Sequence, residues 1–447
     1  MEELSFDVIV VGSGTSAYYC ATTLNKAGKR VAIVDQRPYG GTCALRGCQP
    51  KKYLVANADA VAMAQHLVGN GIQEAPRTDW AALQALKNEF LKGHSEEAQE
   101  DFEKSGIKTF FAKAVMTGPQ MITAGDVTLT ADYIVLATGS EPRRATFPGS
   151  QYMGTSEDFL SMETLPKRIL FIGGGYISFE FATVAAHAGS KATIVHRSAQ
   201  VLKNFDQDCV QILLQAVKHA GIEMATHTSP ERIEKLESGY RVSCSDGAVL
   251  EADVIIEATG RVPNLSVVKE EGHNVDYSNR GIAVNSFLQS VSNPNVYAIG
   301  DVAASGFQLA PVADKQGLIA AKNILEGNRH EIDYEVVPSA VFTIPNLATV
   351  GMDEAAAEKA GLEFRANQGS TKDWPSSKRI GEKYSFYKVL IEKGSERILG
   401  AHLVRHNASE VINTFALAMK HGLTATDLGD VMWAYPTYTS DLKYMVR

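Results

Sequence analysis

Two stretches of the chain share one pattern of apolar, glycine-rich and amphipathic segments. Residues 7–35 predict an apolar strand, a glycine turn, a helix and a second apolar strand, which is a βαβ unit. Residues 169–196 repeat this plan, so that Gly12 corresponds to Gly173 and Gly14 to Gly175. Further apolar runs at 134–137, 255–258 and 296–299 predict additional strands. The pattern predicts an α/β chain with two Rossmann-like units.

Both glycine turns have the chemistry of a phosphate-binding loop. The first glycine permits the tight turn and the second lets the backbone approach a pyrophosphate. The helix that follows supplies oriented N–H groups and the positive end of its dipole. Ala17 and Ser178 occupy the third position, where a small residue is needed. One such turn can simply join a strand to a helix, but two copies in βαβ context indicate two dinucleotide sites.

The end of the second strand distinguishes the two units. Asp35 is an acceptor suited to the ribose diol of FAD or NAD. His196 stands at the equivalent position of the second unit, followed by Arg197 and Lys203. Because an arginine with a nearby lysine attracts a 2′-phosphate and an acid repels it, the second unit is predicted to bind NADPH. The alternative is that both cations are ordinary solvated surface charges.

Length and charge narrow the class of protein. A chain of 447 residues suggests about three domains. A net charge of −8 argues against a nucleic-acid-binding face, which would be basic. The apolar run Val8 to Val11 is only a strand long and lacks a basic leader, so it predicts neither a signal peptide nor a membrane span. We therefore expect a cytoplasmic protein that acts on small molecules and binds neither nucleic acid nor membrane.

Cys43 and Cys48 form the strongest candidate for chemistry. Five cysteines are an odd number in a large chain, which argues against a structural disulfide framework. Lys51, Lys52 and the start of a predicted helix would lower the pKa of a thiol here, which favours a reversible disulfide. The spacing alone leaves metal ligation open, but no second Cys or His pair completes a zinc site. A redox pair is favoured, and no metal is predicted.

These motifs together resemble the pyridine nucleotide-disulfide oxidoreductases, which include glutathione reductase, dihydrolipoamide dehydrogenase and mercuric reductase. The resemblance extends over essentially the whole chain. It rests on Gly-Gly-Thr-Cys-x4-Cys-x-Pro-Lys-Lys at 40–52, Gly-Gly-Gly-Tyr-Ile-x-x-Glu at 173–180, Ala-Thr-Gly-Arg-x-Pro-Asn at 258–264 and Tyr-Ala-Ile-Gly-Asp-Val at 297–302.

The resemblance implies two Rossmann-like dinucleotide-binding domains and a C-terminal α+β dimerisation domain. The FAD-binding domain would comprise residues 1–145 and 266–332, with the NAD(P)H-binding domain at 146–265. The dimerisation domain would span 333–447, so the resemblance also implies a homodimer.

The resemblance also implies roles for the redox residues. Cys48 would be the thiolate against the flavin and Cys43 the interchange thiol that meets the substrate. Lys51 or Lys52 would lie near the flavin, in an ion pair with Glu180. NADPH would then reduce FAD, the flavin would reduce the disulfide, and the dithiol would reduce a disulfide-like substrate.

Further cofactor contacts follow from the same resemblance. Tyr176 would cover the flavin until the nicotinamide displaces it, Asp301 would hold the ribityl chain, and Ala114 would lie at the adenine. The remaining residues predicted to bind FAD or NADPH are Gly12, Gly14, Ala17, Asp35, Gly41, Thr42, Thr138, Gly139, Ala310, Gly173, Gly175, Ile177, Arg197, Lys203 and Gly260.

The C-terminal segment departs from the family pattern. Disulfide-reducing members carry His-Pro-Thr with a glutamate five residues after the histidine, whereas this chain has Tyr435 and Ser440 at those positions. A phenol is a poor base near neutral pH but donates a proton or hydrogen bond, so Tyr435 is a catalytic candidate. The alternative is that it only fills space. Thr22 and Leu318 stand where arginines would bind the glutathione carboxylates, which disfavours glutathione.

Three readings of function remain open from the sequence. The first is an NADPH-dependent flavoprotein reductase of a disulfide-like substrate. The second is a soft-metal reductase of the mercuric type, because mercuric reductase also lacks the histidine. This chain, however, has neither the vicinal cysteine tail nor the N-terminal metal-binding domain of that enzyme. The third is a degenerate flavoprotein subunit with only diaphorase activity, which the retained cysteines, Lys51, Lys52 and Glu180 argue against.

Overall fold

The computed structural model describes residues 2–269 and 271–447. The chain forms two compact units. Unit 1 comprises the described residues of Met1–Lys52, Leu86–Arg143 and Gly260–Asp333, and unit 2 those of Tyr53–Ala85, Arg144–Thr259 and Tyr334–Arg447. Both units are therefore assembled from segments that are distant along the chain.

The strands are numbered along the chain. They are β1 (Glu2–Val11), β2 (Val31–Asp35), β3 (Lys108–Phe111), β4 (Ala114–Gly118), β5 (Met121–Ala124), β6 (Val127–Leu136), β7 (Ser140–Pro142), β8 (Arg168–Ile172), β9 (Lys191–His196), β10 (Glu223–Thr226), β11 (Pro230–Lys235), β12 (Tyr240–Cys244), β13 (Val249–Ala252), β14 (Val254–Glu257), β15 (Arg261–Pro263), β16 (Tyr277–Ser278), β17 (Gly281–Ile282), β18 (Val296–Ala298), β19 (Ser339–Val341), β20 (Asn346–Gly351), β21 (Phe364–Ser370), β22 (Phe386–Glu392) and β23 (Ile398–Arg405).

The α-helices follow the same numbering. They are α1 (Thr15–Lys26), α2 (Gly41–Arg46), α3 (Cys48–His66), α4 (Trp80–Leu91), α5 (His94–Lys104), α6 (Ser156–Leu160), α7 (Tyr176–His187), α8 (Gln207–His219), α9 (Ala310–Glu326), α10 (Glu354–Lys359), α11 (Pro375–Lys378), α12 (Ala408–Lys420), α13 (Ala425–Asp430) and α14 (Leu442–Met445). In the described part of the chain, no helix is long and apolar enough to cross a membrane.

Unit 1 is built on a seven-stranded sheet. The strand order is β3-β2-β1-β6-β5-β4, and β18 also pairs with β6. Strands β1, β2, β3, β6 and β18 are parallel, whereas β4 and β5 pair antiparallel. The runs Val8–Val11 and Val31–Val34 are fully buried, as expected for parallel strands covered on both faces. The carboxyl ends of β1 and β2 therefore lead directly into the predicted first dinucleotide site.

Unit 2 contains three sheets. A parallel sheet of order β10-β9-β8-β14 carries the second glycine turn, and β11, β12 and β13 form a small antiparallel sheet. The third sheet is antiparallel, with the order β19-β20-β23-β22-β21, and packs against α12. The predicted fold class, two Rossmann-like sheets and a C-terminal α+β domain, is confirmed. The predicted domain boundaries at 145, 265 and 332 stay predictions; the units change after Arg143, Thr259 and Asp333.

A buried lysine of the five-stranded sheet in unit 2 contacts carboxylates at the start of α8 and α10. The Nζ atom of Lys388, on β22, lies 2.9 Å from Asp206, 2.6 Å from Asp208 and 2.7 Å from Glu354. Asp206 also caps α8, because its side chain accepts a hydrogen bond of 3.0 Å from the backbone N–H of Cys209. The three carboxylates could surround a metal ion, but the ammonium group already occupies the centre of the cluster. The cluster is therefore a structural ion network.

Candidate active site

At the first glycine turn, the backbone of Gly12 passes close to the backbone of Ala137. Gly12 has a φ of +110°, and a Cβ atom there would overlap the carbonyl oxygen of Ala137. Gly14 precedes α1 and provides no side-chain cap, and the first turn of α1 carries no acidic residue. An uncapped helix start behind a glycine turn has the oriented N–H groups that bind phosphate. These residues fit the pyrophosphate of FAD.

Asp35 lies at the end of β2 in a fixed orientation. Its Oδ2 atom accepts hydrogen bonds from the backbone N–H and the hydroxyl of Ser13, at 2.9 and 2.7 Å. Its Oδ1 atom accepts from the backbone N–H of Arg37 at 2.9 Å. A carboxylate with both oxygens oriented beside the glycine turn fits the predicted contact with a ribose diol.

The redox cysteines lie on two successive helices that start beside the glycine turn. A Cβ atom on Gly41 would overlap the Cα atom of Gly14, so α2 packs directly on the start of α1. Cys43 lies within α2 and Cys48 is the first residue of α3. A hydrogen bond with Cys48 is the largest cause that raises the pKa of the Cys43 thiol, followed by burial. The Cys48 side chain and burial therefore both oppose ionisation of the Cys43 thiol.

Two residues that the sequence did not predict, Thr15 and Asp314, connect α1 and α9 beside the first glycine turn. The hydroxyl of Thr15, in the first turn of α1, donates a hydrogen bond to Oδ1 of Asp314 on α9. The charge of Asp314 is a further cause of the raised pKa of Cys43, after the two effects of Cys48 and burial. No motif around Asp314 pointed to this role.

Asp301, Ser140 and Arg261 form a short chain of hydrogen bonds. The hydroxyl of Ser140 donates to Oδ2 of Asp301 at 2.7 Å, and Arg261 Nε donates to that hydroxyl at 2.8 Å. Arg261 Nη2 also donates to the Ser140 carbonyl at 2.6 Å. Burial raises the pKa of Asp301, while the bond from Ser140 and the charge of Arg261 oppose this rise. The sequence predicted Asp301 but missed Ser140 and Arg261, although Arg261 belongs to the Ala-Thr-Gly-Arg motif.

The other residues of unit 1 that are predicted to bind a cofactor lie in helices, strands and connecting turns of that unit. Thr138 donates a hydrogen bond of 2.7 Å to the carbonyl of Asn264, and the N–H of Asn264 donates to the carbonyl of Gly139 at 2.9 Å. The remaining positions are Ala17 buried in α1, Thr42 in α2, Lys51 and Lys52 in the first turn of α3, Ala114 at the start of β4, Gly260 before β15 and Ala310 at the start of α9.

The second glycine turn, in unit 2, repeats the geometry of the first. Gly173 has a φ of +128°, and a Cβ atom there would overlap the carbonyl oxygen of Ala258. Gly175 precedes α7 and provides no side-chain cap, and a Cβ on Gly174 would lie 2.6 Å from the ring of His196. His196 therefore packs on the turn. Burial is the main cause of its lowered pKa, and the charges of Lys203 and Arg197 add to it.

Charged and aromatic residues surround this second turn. Arg197 and Lys203 are exposed, and neither forms an ion pair with another described residue. Tyr176 and Ile177 begin α7, and Tyr176 is largely exposed. Glu180, buried in α7, accepts a hydrogen bond of 2.8 Å from the backbone N–H of Phe342. Its predicted ion pair with Lys51 or Lys52 stays a prediction.

Tyr435 lies in an exposed turn near the C-terminus. Its side chain is 70% exposed, and Lys443 Nζ lies 5.9 Å from the centre of the ring. Ser440, which replaces the family glutamate, donates a 2.6 Å hydrogen bond to the carbonyl of Thr437 and accepts one of 3.2 Å from its N–H. Ser440 thus stabilises the turn locally and does not orient Tyr435.

Comparison with known proteins places this geometry in a family. Residues 6–317 match the pyridine nucleotide-disulphide oxidoreductases, and residues 337–446 match the dimerisation domain of that family. A glutathione reductase of Nostoc sp. is 31% identical over 98% of this chain and 99% of its own. A mercuric reductase of Staphylococcus aureus is 30% identical, covering 98% of this chain and 81% of its own.

A solved structure extends the comparison. The Cu(II) complex of the HOCl-induced flavoprotein disulfide reductase RclA from Escherichia coli is 26% identical, with a TM-score of 0.88, covering 98% of both chains. The match of both family regions and the similarity along the whole chain agree with the two glycine turns and the cysteine pair. The chain therefore belongs to the pyridine nucleotide-disulphide oxidoreductases, the NAD(P)H-dependent FAD flavoproteins with a redox disulfide and a dimerisation domain.

Proposed function

We propose that this protein is a homodimeric reductase that passes electrons from NADPH through FAD and Cys43–Cys48 to a disulfide-like substrate other than glutathione. The observation that carries the proposal is the hydrogen-bonded cysteine pair beside the first glycine turn. FAD, when bound, accepts a hydride from the nicotinamide and passes two electrons to the disulfide. Homodimerisation is supported by the match of residues 337–446 to the dimerisation domain.

The chain's own residues then carry out thiol exchange. The thiolate of Cys43 attacks one sulfur of the substrate, which forms a mixed disulfide and releases the first thiol. Cys48 next attacks the Cys43 sulfur, which releases the second thiol and restores the Cys43–Cys48 disulfide. The Cys43 thiol supplies one of the two protons that the product thiols take up, and solvent supplies the other. The hydrogen bond between the cysteines supports this exchange, because it holds the sulfur of Cys48 next to that of Cys43.

Glutathione is disfavoured by the residues on α1 and α9. Thr22 and Leu318 lie on these helices at positions where arginines would bind the substrate carboxylates. The hydroxyl of Thr22 instead donates a 2.6 Å hydrogen bond to the carbonyl of Tyr18. Neither residue supplies the charge-assisted bond that an anionic tripeptide needs.

A soft-metal ion is the second candidate substrate. Tyr435 and Ser440 replace the proton-transferring pair of the disulfide-reducing members, and a metal ion bound by thiolates needs no proton. The relatives include a mercuric reductase, and a similar solved structure is a Cu(II) complex. Anaerobic NADPH titration, followed by low-molecular-weight disulfides, thioredoxin-like proteins, Hg(II) and Cu(II), tests both candidates. Flavin reduction without transfer to any of these would favour a subunit with only diaphorase activity.

Cofactor preference gives the first testable prediction. Arg197→Glu should lower the ratio of kcat/KM for NADPH to that for NADH by at least about tenfold, because the exposed guanidinium would no longer bind the 2′-phosphate. The matched control is Lys235→Glu, an equal charge change at an exposed position of β11 in the same unit. Stopped-flow flavin reduction measures both ratios. A wild type that prefers NADH would contradict the assignment of Arg197 and Lys203.

The role of Tyr435 gives a second prediction. Without an imidazole, the pH profile of substrate turnover should lack the limb at roughly pH 6–7 that a histidine acid produces. Tyr435→His should speed turnover of alkyl disulfides with high thiol pKa, since these leaving groups need a proton most. Tyr435→Phe shows whether the hydroxyl contributes. Rapid wild-type turnover of such disulfides, unchanged in Tyr435→Phe, would rule out an acid role for Tyr435.

A further inference from the structure

We propose that Asp314 selects positively charged substrates at the interchange thiol Cys43. The role rests on the proposed function, because it names the class of substrate that the same site takes. The shared chemistry is a cation next to the reacting sulfur. Two sources supply it: the ammonium groups of an aminothiol disulfide, or a soft metal ion itself.

The position of Asp314 follows from close packing of two helices. A Cβ atom on Gly317 of α9 would overlap the carbonyl oxygen of Ser16 on α1, so the two backbones touch. Asp314 lies nearly one turn before Gly317 and accepts the hydrogen bond from the hydroxyl of Thr15. Both Thr15 and Asp314 are half-buried. The carboxylate is therefore held against the first turn of α1.

The helix that carries Cys43, α2, also packs at the start of α1. Gly41 packs its backbone on Gly14, one residue before Thr15, and Cys43 follows two residues later in α2. The charge of Asp314 acts on the Cys43 thiol, adding to the effects of Cys48 and burial on its pKa. The contacts Gly41–Gly14 and Thr15–Asp314 thus bring a fixed negative charge to the sulfur that meets the substrate.

A carboxylate at this place is a disadvantage for ordinary disulfide reduction. It favours the thiol over the thiolate, and only the thiolate attacks. It also repels substrates that carry carboxylates, such as glutathione. A cationic substrate reverses both effects, because its charge offsets that of Asp314 and stabilises the thiolate. The charge at this position therefore fits a cation better than a neutral or anionic disulfide.

Helices α1 and α9 also lack the arginines that would favour a negatively charged substrate. Thr22 on α1 and Leu318 on α9 stand where arginines would attract substrate carboxylates. The cationic side chains of an anion-binding site are thus missing, and an acid is present instead. Both observations point to a positive substrate.

Alkylation of the reduced enzyme tests the proposal without a known substrate. The FAD-loaded protein is reduced anaerobically with dithionite and treated with 2-bromoethylammonium, iodoacetamide or iodoacetate, which are cationic, neutral and anionic. Mass spectrometry identifies the products on Cys43. We expect Asp314→Asn to lower the ratio of cationic to anionic rates by about tenfold, the size expected for one nearby charge. Each rate is normalised to iodoacetamide, which corrects for the change in thiolate fraction.

Two further variants provide the controls. Asp126→Asn makes the same change in net charge on an exposed turn of unit 1 and should leave the ratio unchanged. Asp314→Glu keeps the charge and should retain most of the wild-type ratio. FAD content and the flavin spectrum report whether each variant is folded. An unchanged ratio in folded Asp314→Asn would overturn the proposal.

Turnover then distinguishes the two sources of positive charge. Cystamine, 2-hydroxyethyl disulfide and Cu(II) chloride are compared with NADPH as the reductant in wild type and Asp314→Asn. Each dithiol reduces two Cu(II) ions to Cu(I), restores the disulfide and releases two protons. A selective loss with cystamine identifies an aminothiol disulfide, and a selective loss with Cu(II) identifies the metal ion. Loss with neither would overturn the proposal, whereas a wild type that NADPH cannot reduce would overturn the proposed function alone.

Discussion

Replacing Cys48 by serine should remove the long-wavelength thiolate-to-flavin absorption of the two-electron-reduced enzyme and lower substrate turnover on the order of 1,000-fold. The thiolate next to the flavin is then lost, and the mixed disulfide on Cys43 has no resolving thiol. Anaerobic titration with NADPH, followed by absorption spectroscopy, measures the band. Steady-state turnover measures the rate.

Cys43→Ser separates the two roles. This variant should also lose turnover, but it should keep the absorption band, because Cys48 remains a permanent thiolate. Cys244→Ser is the control: Cys244 lies buried in β12 and burial raises its pKa, so it stays an inert thiol. Equal loss of the band in the Cys43 and Cys48 variants, or an undisturbed spectrum in both, would show that the roles are assigned wrongly.

A substitution in the first glycine turn should impair the protein as severely as the loss of either redox cysteine. Gly12→Ala should yield protein without FAD and destabilised by several kcal/mol, because the new Cβ atom meets the Ala137 carbonyl and φ is +110°. Gly28→Ala is the matched control. Gly28 also has a positive φ, +85°, but no atom lies within 4 Å of the added Cβ. It should cost only about 1–2 kcal/mol and keep FAD.

Flavin absorbance per chain and urea unfolding measure these two outcomes. Gly173→Ala extends the test to the second turn: it should impair NAD(P)H binding while FAD stays bound, since the turns lie in different units. If Gly12→Ala and Gly28→Ala behave alike, then the close backbone approach does not control FAD binding.

The architecture could be predicted from the sequence because its signals are local. The two βαβ units follow from apolar runs and glycines within about 30 residues, and the cysteine pair is separated by four residues. The same holds for the replacement of the family histidine by Tyr435, which is visible in a short C-terminal motif. Both Rossmann-like sheets and the C-terminal domain are confirmed by the structure.

The residues that the sequence missed depend on long-range contacts. Thr15 and Asp314 are 299 residues apart, and Ser140 and Asp301 are 161 apart. No periodicity or spacing reports such a pair, because only the packing of α1 on α9, or of the ends of two strands, brings the side chains together. Ser440 was recognised as a substitution, but its bonds to Thr437 depend on the local turn geometry.

The buried Lys388 also sets how the protein should respond to acid. Burial alone would lower the pKa of Lys388, but its bonds to Asp208, Glu354 and Asp206 raise it. Burial likewise opposes ionisation of Asp206, yet the bonds from Cys209 and Lys388 leave its pKa below the ordinary value. Such a carboxylate stabilises the fold fully above its unfolded pKa of about 4 and loses this contribution as pH falls through the lower folded value.

One ammonium group on the five-stranded sheet holds carboxylates from α8 and α10. Protonating these carboxylates should therefore weaken the packing of α8, beside the β10-β9-β8-β14 sheet, and of the five-stranded sheet at the same time. A buried lysine left without partners is strongly unfavourable, so intermediate states with the cluster half broken are sparsely populated. Acid should therefore melt these two parts of unit 2 in one cooperative transition and not one after the other.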